Sequence, residues 1–138
     1  MTNHPLAYAT FHVMGDTVEP TFWTAYFGVS PDTAIEKGKP FVTPSGRPGG
    51  PGRVGLWGVS SKLLVRSDNL SPHLRCLTER LNLTRGDLPQ VVAEKGVRLR
   101  FFCYWRNQGG DRAPDIPQDI RVIMETLGGT IEIDEHRD

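Results

Sequence analysis

Residues 53–62 read Arg-Val-Gly-Leu-Trp-Gly-Val-Ser-Ser-Lys, and they contain most of a tryptophan-containing strand that is predicted over residues 54–65. Trp57 and Val59 alternate with Leu56, and the two-residue period of a strand places them on opposite faces. The preceding stretch, residues 39–52, contains four prolines and four glycines. That composition predicts a flexible loop without regular structure. Trp57 is therefore expected to anchor the core between the sheet and its helices.

Hydrophobic spacing and turn residues predict three further strands and four helices. The first strand covers residues 7–14, with Ala9, Phe11 and Val13 on one face and Tyr8, Thr10 and His12 on the other. A strand over residues 97–105 alternates in the same way, and a last strand carries Ile131 and Ile133 inward. The helices are predicted from Pro20 to Gly28, from an N-cap at Ser71, from Asp87 to Gly96, and from about Pro117 to Gly128.

The order of these elements is strand-helix-strand, two helices, then strand-helix-strand. Two such halves most economically interleave as a ferredoxin-like, four-stranded antiparallel sheet in an α+β fold, with the first and third strands central. The two middle helices are inserted between the halves, and they either extend the helical layer or cover the opposite sheet face. A chain of 138 residues is the size of one domain, so residues 1–138 are expected to form a single domain.

Four short motifs follow one another along the first half of the chain. The first strand ends in Gly15-Asp16, a short helix is followed by Gly28-Val29-Ser30-Pro31-Asp32, and a Lys37-Gly38 pair precedes the tryptophan strand. A leucine-rich helix with an early histidine over residues 70–81 and a Gly-Gly loop before the last helix complete the pattern. The pattern resembles that of DUF4279, a bacterial family of domains of unknown function. The resemblance implies an architecture and leaves the activity open.

Composition excludes several classes of protein. The 16 basic and 16 acidic residues balance, so no overall field attracts nucleic acid or an anionic membrane. No apolar run reaches the roughly 18 residues of a membrane helix, and residues 1–5 lack the features of a signal peptide. Cys76 and Cys103 lie in a predicted helix and a predicted strand, as buried free thiols do in a reducing compartment. The protein is expected to be cytoplasmic and not membrane-bound.

Motifs for catalysis or for metal binding are missing from the sequence. The stretch over residues 46–53 is too rich in proline to present backbone N–H groups to a phosphate. The histidines His4, His12, His73 and His136 are scattered, and no two have metal-ligand spacing. His12 and His73 are interpreted as structural side chains, and Asp16 and Asp32 as turn residues. We therefore assign no catalytic residue, cofactor or metal ligand, and an enzyme is the least supported interpretation.

One sheet face has the composition of an RNA-binding surface. Aromatic and basic residues interleave on the second face of the central strands: Tyr8, His12, Arg98, Arg100, Phe102, Tyr104 and Arg106. RNA recognition motifs stack bases and hold phosphates with such residues, but the characteristic glycine of their third strand is missing here. The favoured alternative is that the middle helices cover these aromatics, with the arginines at the rim. Single-stranded RNA binding is therefore the second hypothesis.

A protein-binding domain is the favoured hypothesis. Phe22 is predicted on the helix face opposite Trp23 and Tyr26, and Phe41 adds apolar surface in the Gly/Pro loop. We therefore expect a noncatalytic domain that docks a protein partner, of the immunity or adaptor type. The candidate binding surface combines these aromatics with the strand residues and two loop arginines: Phe22, Phe41, Arg47, Arg53, Arg98, Arg100, Phe102, Tyr104 and Arg106.

Overall fold

The computed structural model describes residues 6–42 and 46–137, so His4 and Pro44 lie outside the described residues. The described strands are β1 (Ala7–Gly15), β2 (Thr33–Ile35), β3 (Pro40–Val42), β4 (Pro48–Pro51), β5 (Gly55–Ser60), β6 (Arg98–Asn107) and β7 (Thr130–Arg137). The described helices are α1 (Pro20–Phe27), α2 (Leu70–Arg80), α3 (Leu88–Lys95) and α4 (Gln118–Thr126). A short 3-10 turn, Gln108–Gly110, follows β6.

Five strands form the main sheet, in the order β2-β5-β1-β6-β7. Strand β1 is antiparallel to both β5 and β6, β2 is antiparallel to β5, and β6 and β7 are parallel. The α+β class is confirmed, and β1 and β6 are interior strands as predicted. The ferredoxin-like sheet of four antiparallel strands is not confirmed, because the sheet has a fifth strand and mixed directions.

The two halves of the chain differ in how their strands are connected. In the second half, helix α4 connects β6 directly to its parallel neighbour β7, as in a strand-helix-strand unit. In the first half, α1 is followed by β2, β3 and β4 before β5 begins. This longer connection lets β5 return beside β1 in the antiparallel direction, so the halves lie side by side and do not interleave.

The hydrophobic core lies on one face of the sheet. Its strand residues are the alternate side chains predicted to face inward, including Phe11, Trp57 and Phe101, all fully buried. All four helices contribute to the same cluster of buried residues: Trp23 and Phe27, Leu70, Leu74 and Leu77, Leu88 and Val92, Ile120 and Met124. The expectation that the middle helices cover the second face is therefore wrong. They extend the helical layer, and no described helix lies over the second face.

The Gly/Pro stretch contains regular structure, which corrects the prediction of none. Strands β3 and β4 form a two-stranded antiparallel sheet in which Pro40 is opposite Pro51. Prolines fit here because a two-stranded sheet consists of two edges, where a missing N–H leaves no neighbouring strand unsatisfied. The flexibility of residues 39–52 stays a prediction.

Two helix ends were predicted correctly from the sequence, and one helix start was not. Gly28 and Gly96 end α1 and α3 in the left-handed conformation, with φ of 66° and 65°, as predicted. Ser71 is not the N-cap of α2, which begins at Leu70. The carboxylate of Asp115, 44 residues further along the chain, accepts hydrogen bonds from the backbone N–H groups of Leu70 and Ser71 at 2.7 and 3.0 Å. A distant side chain thus satisfies donors at this helix start.

Candidate functional site

A row of neighbouring rings crosses the second face of the sheet, which we call the open face. Tyr8 and Tyr104 are opposite each other on β1 and β6, with ring centroids 5.0 Å apart and an angle of 16° between the rings. His136 of β7 lies 4.8 Å from Tyr104 on the same face, and the Lys62 ammonium lies 5.3 Å from the Tyr8 ring centroid. Each tyrosine ring therefore has two neighbouring groups within the protein.

The phenols and the acid beside them influence one another. Asp134 accepts a hydrogen bond from His136 at 3.0 Å, and it pairs with Tyr104 across β6 and β7. Burial, followed by the proximity of Tyr104 and Asp134, raises the pKa of Tyr8 above its usual value. The Tyr8 hydroxyl is therefore neutral at physiological pH and available as both donor and acceptor.

Arg100 is at the centre of a polar cluster beside this row. Its Nε and Nη2 atoms lie 3.2 and 3.0 Å from His12 Nδ1, and its Nη1 donates to Glu132 at 3.3 Å. Its guanidinium also lies 5.2 Å from the Phe102 ring centroid. Burial, and then the charge of Arg100, lowers the pKa of His12 to about 4. His12 is therefore a neutral acceptor for Arg100, and Arg100 is already bound to other side chains.

An exposed leucine pair extends from the end of this face. Leu63 is 93% exposed and Leu64 is 48% exposed, in the turn that follows β5. The turn is held by its backbone, because the N–H groups of Leu64 and Val65 donate to Ser61 O at 2.9 and 3.0 Å. The predicted strand over residues 54–65 had included these leucines, but β5 ends at Ser60. The consecutive serines before Lys62 are the sequence signal for this turn.

Ser61 itself belongs to a buried hydrogen-bonded chain. Its hydroxyl is 2.7 Å from His73 Nδ1, and His73 Nε2 donates to Ser67 O at 2.9 Å. The backbone N–H of Ala9 donates to Ser61 Oγ at 3.0 Å. Both side chains are almost fully buried, at 0% and 1% exposure, and both ring nitrogens of His73 have a hydrogen-bond partner. The interpretation of His73 as a satisfied structural side chain is confirmed.

The structure brings together some of the predicted surface residues and separates others. The strand residues share the open face: Arg98, Arg100, Phe102, Tyr104 and Arg106. Phe41 and Arg47 lie in or beside the small sheet, and Arg53 follows it. Phe22 lies on the helical side, half-buried, and stacks on Tyr26 at 5.9 Å. The prediction that Phe22 faces away from Tyr26 is wrong, because residues four apart lie on the same side of a helix, and here the two rings stack while Lys95 lies over Phe22.

Side chains that could bind a metal ion are not clustered in the described part of the chain. Among residues 6–42 and 46–137, no cluster of three His, Cys, Asp or Glu side chains could hold a metal ion. Both cysteines are free, and burial raises the pKa of Cys103 to about 12, so its thiol is protonated. None of the helices within those residues is long and apolar enough to cross a membrane.

Comparison with known proteins agrees with the motifs found in the sequence. The family model of DUF4279, a domain of unknown function, matches residues 5–138. The chain belongs to the DUF4279 family. The comparisons with curated proteins and with solved structures gave no match. The family description of DUF4279 names no activity.

Proposed function

We propose that this DUF4279 domain is a noncatalytic, cytoplasmic domain that docks a protein partner on the open face of its sheet, as an adaptor or immunity protein does. The supporting observation is the row of neighbouring rings formed by Tyr8, Tyr104 and His136, with the exposed leucine turn at its end. The free thiols of Cys76 and Cys103 fit a reducing compartment.

The surface has the composition of a protein interface. Tyrosine and arginine are enriched at the energetically important centres of protein interfaces, and a large apolar side chain often inserts into a pocket of the partner. Leu63 is suited to that role because its turn is hydrogen-bonded, which reduces the entropy lost on binding. This face carries charges of both signs: Lys62 and Arg98 are basic, and Glu132 and Asp134 are acidic. Such a mixture suits a partner with complementary charges.

The same geometry disfavours RNA, the alternative function. A base stacks on a free aromatic ring, but Tyr8 already has Lys62 and Tyr104 as neighbours, and Tyr104 has Tyr8 and His136. Arg100 is held by His12 and Glu132, and the carboxylate of Glu132 repels a phosphate. The hydroxyl groups and rings of this row suit hydrogen bonds and apolar contacts with a protein.

Site-specific photo-crosslinking tests this proposal in the cells that naturally produce the protein. Tyr104→p-benzoylphenylalanine places the crosslinker on the open face, and Arg121→p-benzoylphenylalanine places it on the exposed side of α4. We expect one discrete protein adduct from position 104, none from position 121, and loss of the adduct when Leu63→Ser is added. An adduct that forms equally from position 121, or that survives Leu63→Ser, contradicts docking on this face.

RNA titration separates the two binding hypotheses. The Phe102→Ser, Tyr104→Ser double variant removes two aromatics from a face that no described helix covers, so we expect it to stay folded, with a changed melting temperature but a cooperative transition. We expect no micromolar binding of single-stranded RNA by the parent protein. Micromolar binding that the double variant abolishes, with a steep dependence on salt, would replace the protein-docking proposal by the RNA alternative.

A further inference from the structure

A cavity of about 510 Å³ lies between the small sheet and the edge of the main sheet, away from the row of tyrosines. Its walls include side chains from β2, from the small sheet and from the segment before β5: Ile35, Phe41, Pro51, Gly52, Arg53 and Val54. The volume falls within the range of about 300–1,000 Å³ that is typical of small-molecule sites. Most of the wall is apolar.

Glycines allow the walls of this cavity to form. A Cβ atom at Gly49 would lie 2.8 Å from the Phe41 ring, and one at Gly52 would lie 2.6 Å from Cγ2 of Ile35. The backbone also joins the small sheet to the chain after β2, since Gly38 N donates to Gly52 O at 2.9 Å and Gly52 N donates to Lys39 O at 3.0 Å. The position of the small sheet beside Ile35 therefore depends on the glycines of this segment.

The charge of the cavity comes from Arg53. It is the charged residue among those that line the cavity, and it is exposed. Within residues 6–42 and 46–137, Arg53 makes no hydrogen bond or ion pair, whereas the nearby Glu36 is paired with Lys39 at 2.5 Å. An unpaired guanidinium beside apolar walls complements a ligand that has an apolar body and one negative charge. A planar carboxylate matches the fork of a single arginine.

We propose that this cavity binds a small monocarboxylate with an apolar tail, of the medium-chain fatty acid type. The tail lies against Phe41, Ile35 and Val54, and the carboxylate pairs with Arg53. This site is separate from the tyrosine row, so it goes beyond the proposed docking function and is independent of it.

Titration with three eight-carbon probes tests the site. Octanoate, 1-octanol and octylamine share the same tail and differ in charge, and binding is followed by calorimetry and by the amide NMR signals of Gly50 and Gly52. We expect octanoate to bind about fivefold more tightly than octanol, as a partly exposed ion pair allows, and octylamine to bind most weakly. The signals of both glycines should shift.

Arg53→Gln is the decisive variant, and Arg121→Gln is its control because it removes an exposed guanidinium from α4. We expect Arg53→Gln to abolish the preference for octanoate over octanol and Arg121→Gln to retain it, with both melting temperatures close to the parent's. An octanoate affinity no better than that of octylamine, or a preference that survives Arg53→Gln, overturns the proposal.

Discussion

His12 occupies the space that a side chain at Gly58 would need. The two residues are opposite each other on β1 and β5, and a Cβ atom at Gly58 would lie 2.8 Å from His12 Cδ2 and 3.3 Å from Nε2. Arg100 holds the imidazole through Nδ1, so the ring cannot move away without losing these hydrogen bonds. The glycine in the Leu-Trp-Gly-Val motif is therefore required by its neighbour's side chain.

A double-mutant cycle checks this relationship. Gly58→Ala in the parent protein should reduce the free energy of unfolding by about 1–3 kcal/mol, because the new methyl group displaces His12. In a His12→Ala background the same change should be neutral or should stabilise by about 0.5–1 kcal/mol, since alanine is favoured over glycine in a strand. Urea denaturation of the four proteins gives the coupling. Equal effects in both backgrounds would show that the clash is relieved elsewhere.

His12 should also make stability depend on pH. Its pKa falls from 6.5 to about 4 in the folded state, chiefly through burial and then through Arg100. Between these values the unfolded chain binds a proton that the folded protein does not, so stability is present above pH 6.5 and is lost as the pH falls towards 4. With allowance for solvent screening, we expect a loss of about 1–2 kcal/mol.

The control for this pH effect is His12→Gln, which cannot titrate but retains an acceptor for Arg100. Urea midpoints of the two proteins at pH 7, 5.5 and 4 separate the contribution of His12 from that of the carboxylates. The difference in urea midpoint between the parent and His12→Gln should change between pH 7 and pH 4. Parallel curves for parent and variant would assign the acid sensitivity to other groups.

Asp115 should contribute more to helix α2 than Ser71 does. Asp115→Ala removes the acceptor of two backbone N–H groups at the start of the helix, and it should cost about 1–2 kcal/mol. Ser71→Ala should change stability by less than about 0.5 kcal/mol, because its side chain does not cap the helix. Thermal and urea unfolding provide the comparison. A larger loss of stability in Ser71→Ala than in Asp115→Ala would show that Ser71 caps the helix, as the sequence had predicted.

Trp57 should be among the most costly residues to truncate. It is fully buried, its ring stacks on Phe27 with centroids 5.2 Å apart, and its indole N–H donates to Thr24 Oγ1 at 3.1 Å. We expect Trp57→Ala to destabilise the fold by about 3–5 kcal/mol or to prevent folding. Thr24→Ala tests the hydrogen bond alone, and it should cost about 1 kcal/mol. A denaturant midpoint of Trp57→Ala close to the parent's would show that the residue is peripheral.

Local signals in the sequence were sufficient for most of the secondary structure. Strand alternation predicted β1 and β6, and the positions of Gly28 and Gly96 predicted the ends of α1 and α3. The same kind of reasoning failed for β3 and β4, because proline is excluded from the interior of a sheet but tolerated in a pair of edge strands. The helix start at Leu70 was misplaced because Asp115 is remote in sequence.

The candidate site was only partly predictable. Alternation placed Tyr8, Phe102 and Tyr104 on one sheet face, and the strand register agrees. Whether that face was open depended on where the middle helices packed, and neither their apolar stripes nor their lengths distinguish the two sheet faces. The contact between His136 and Tyr104 required β7 to pair with β6, and that pairing depends on the strand order of the sheet. The turn that carries Leu63 and Leu64 was not predicted, because the strand-forming residues around it made the predicted strand run on to residue 65.

The sequence by itself determined the family, the α+β class and the inward side of the four predicted strands, because these depend on local periodicity and on motifs within a few residues. Tertiary structure alone decided the order β2-β5-β1-β6-β7, the placement of all four helices on one face, and the contacts of Arg100, Asp115 and Gly58. These features depend on which distant segments pack against each other. Periodicity records which side of an element is buried, but not which partner buries it.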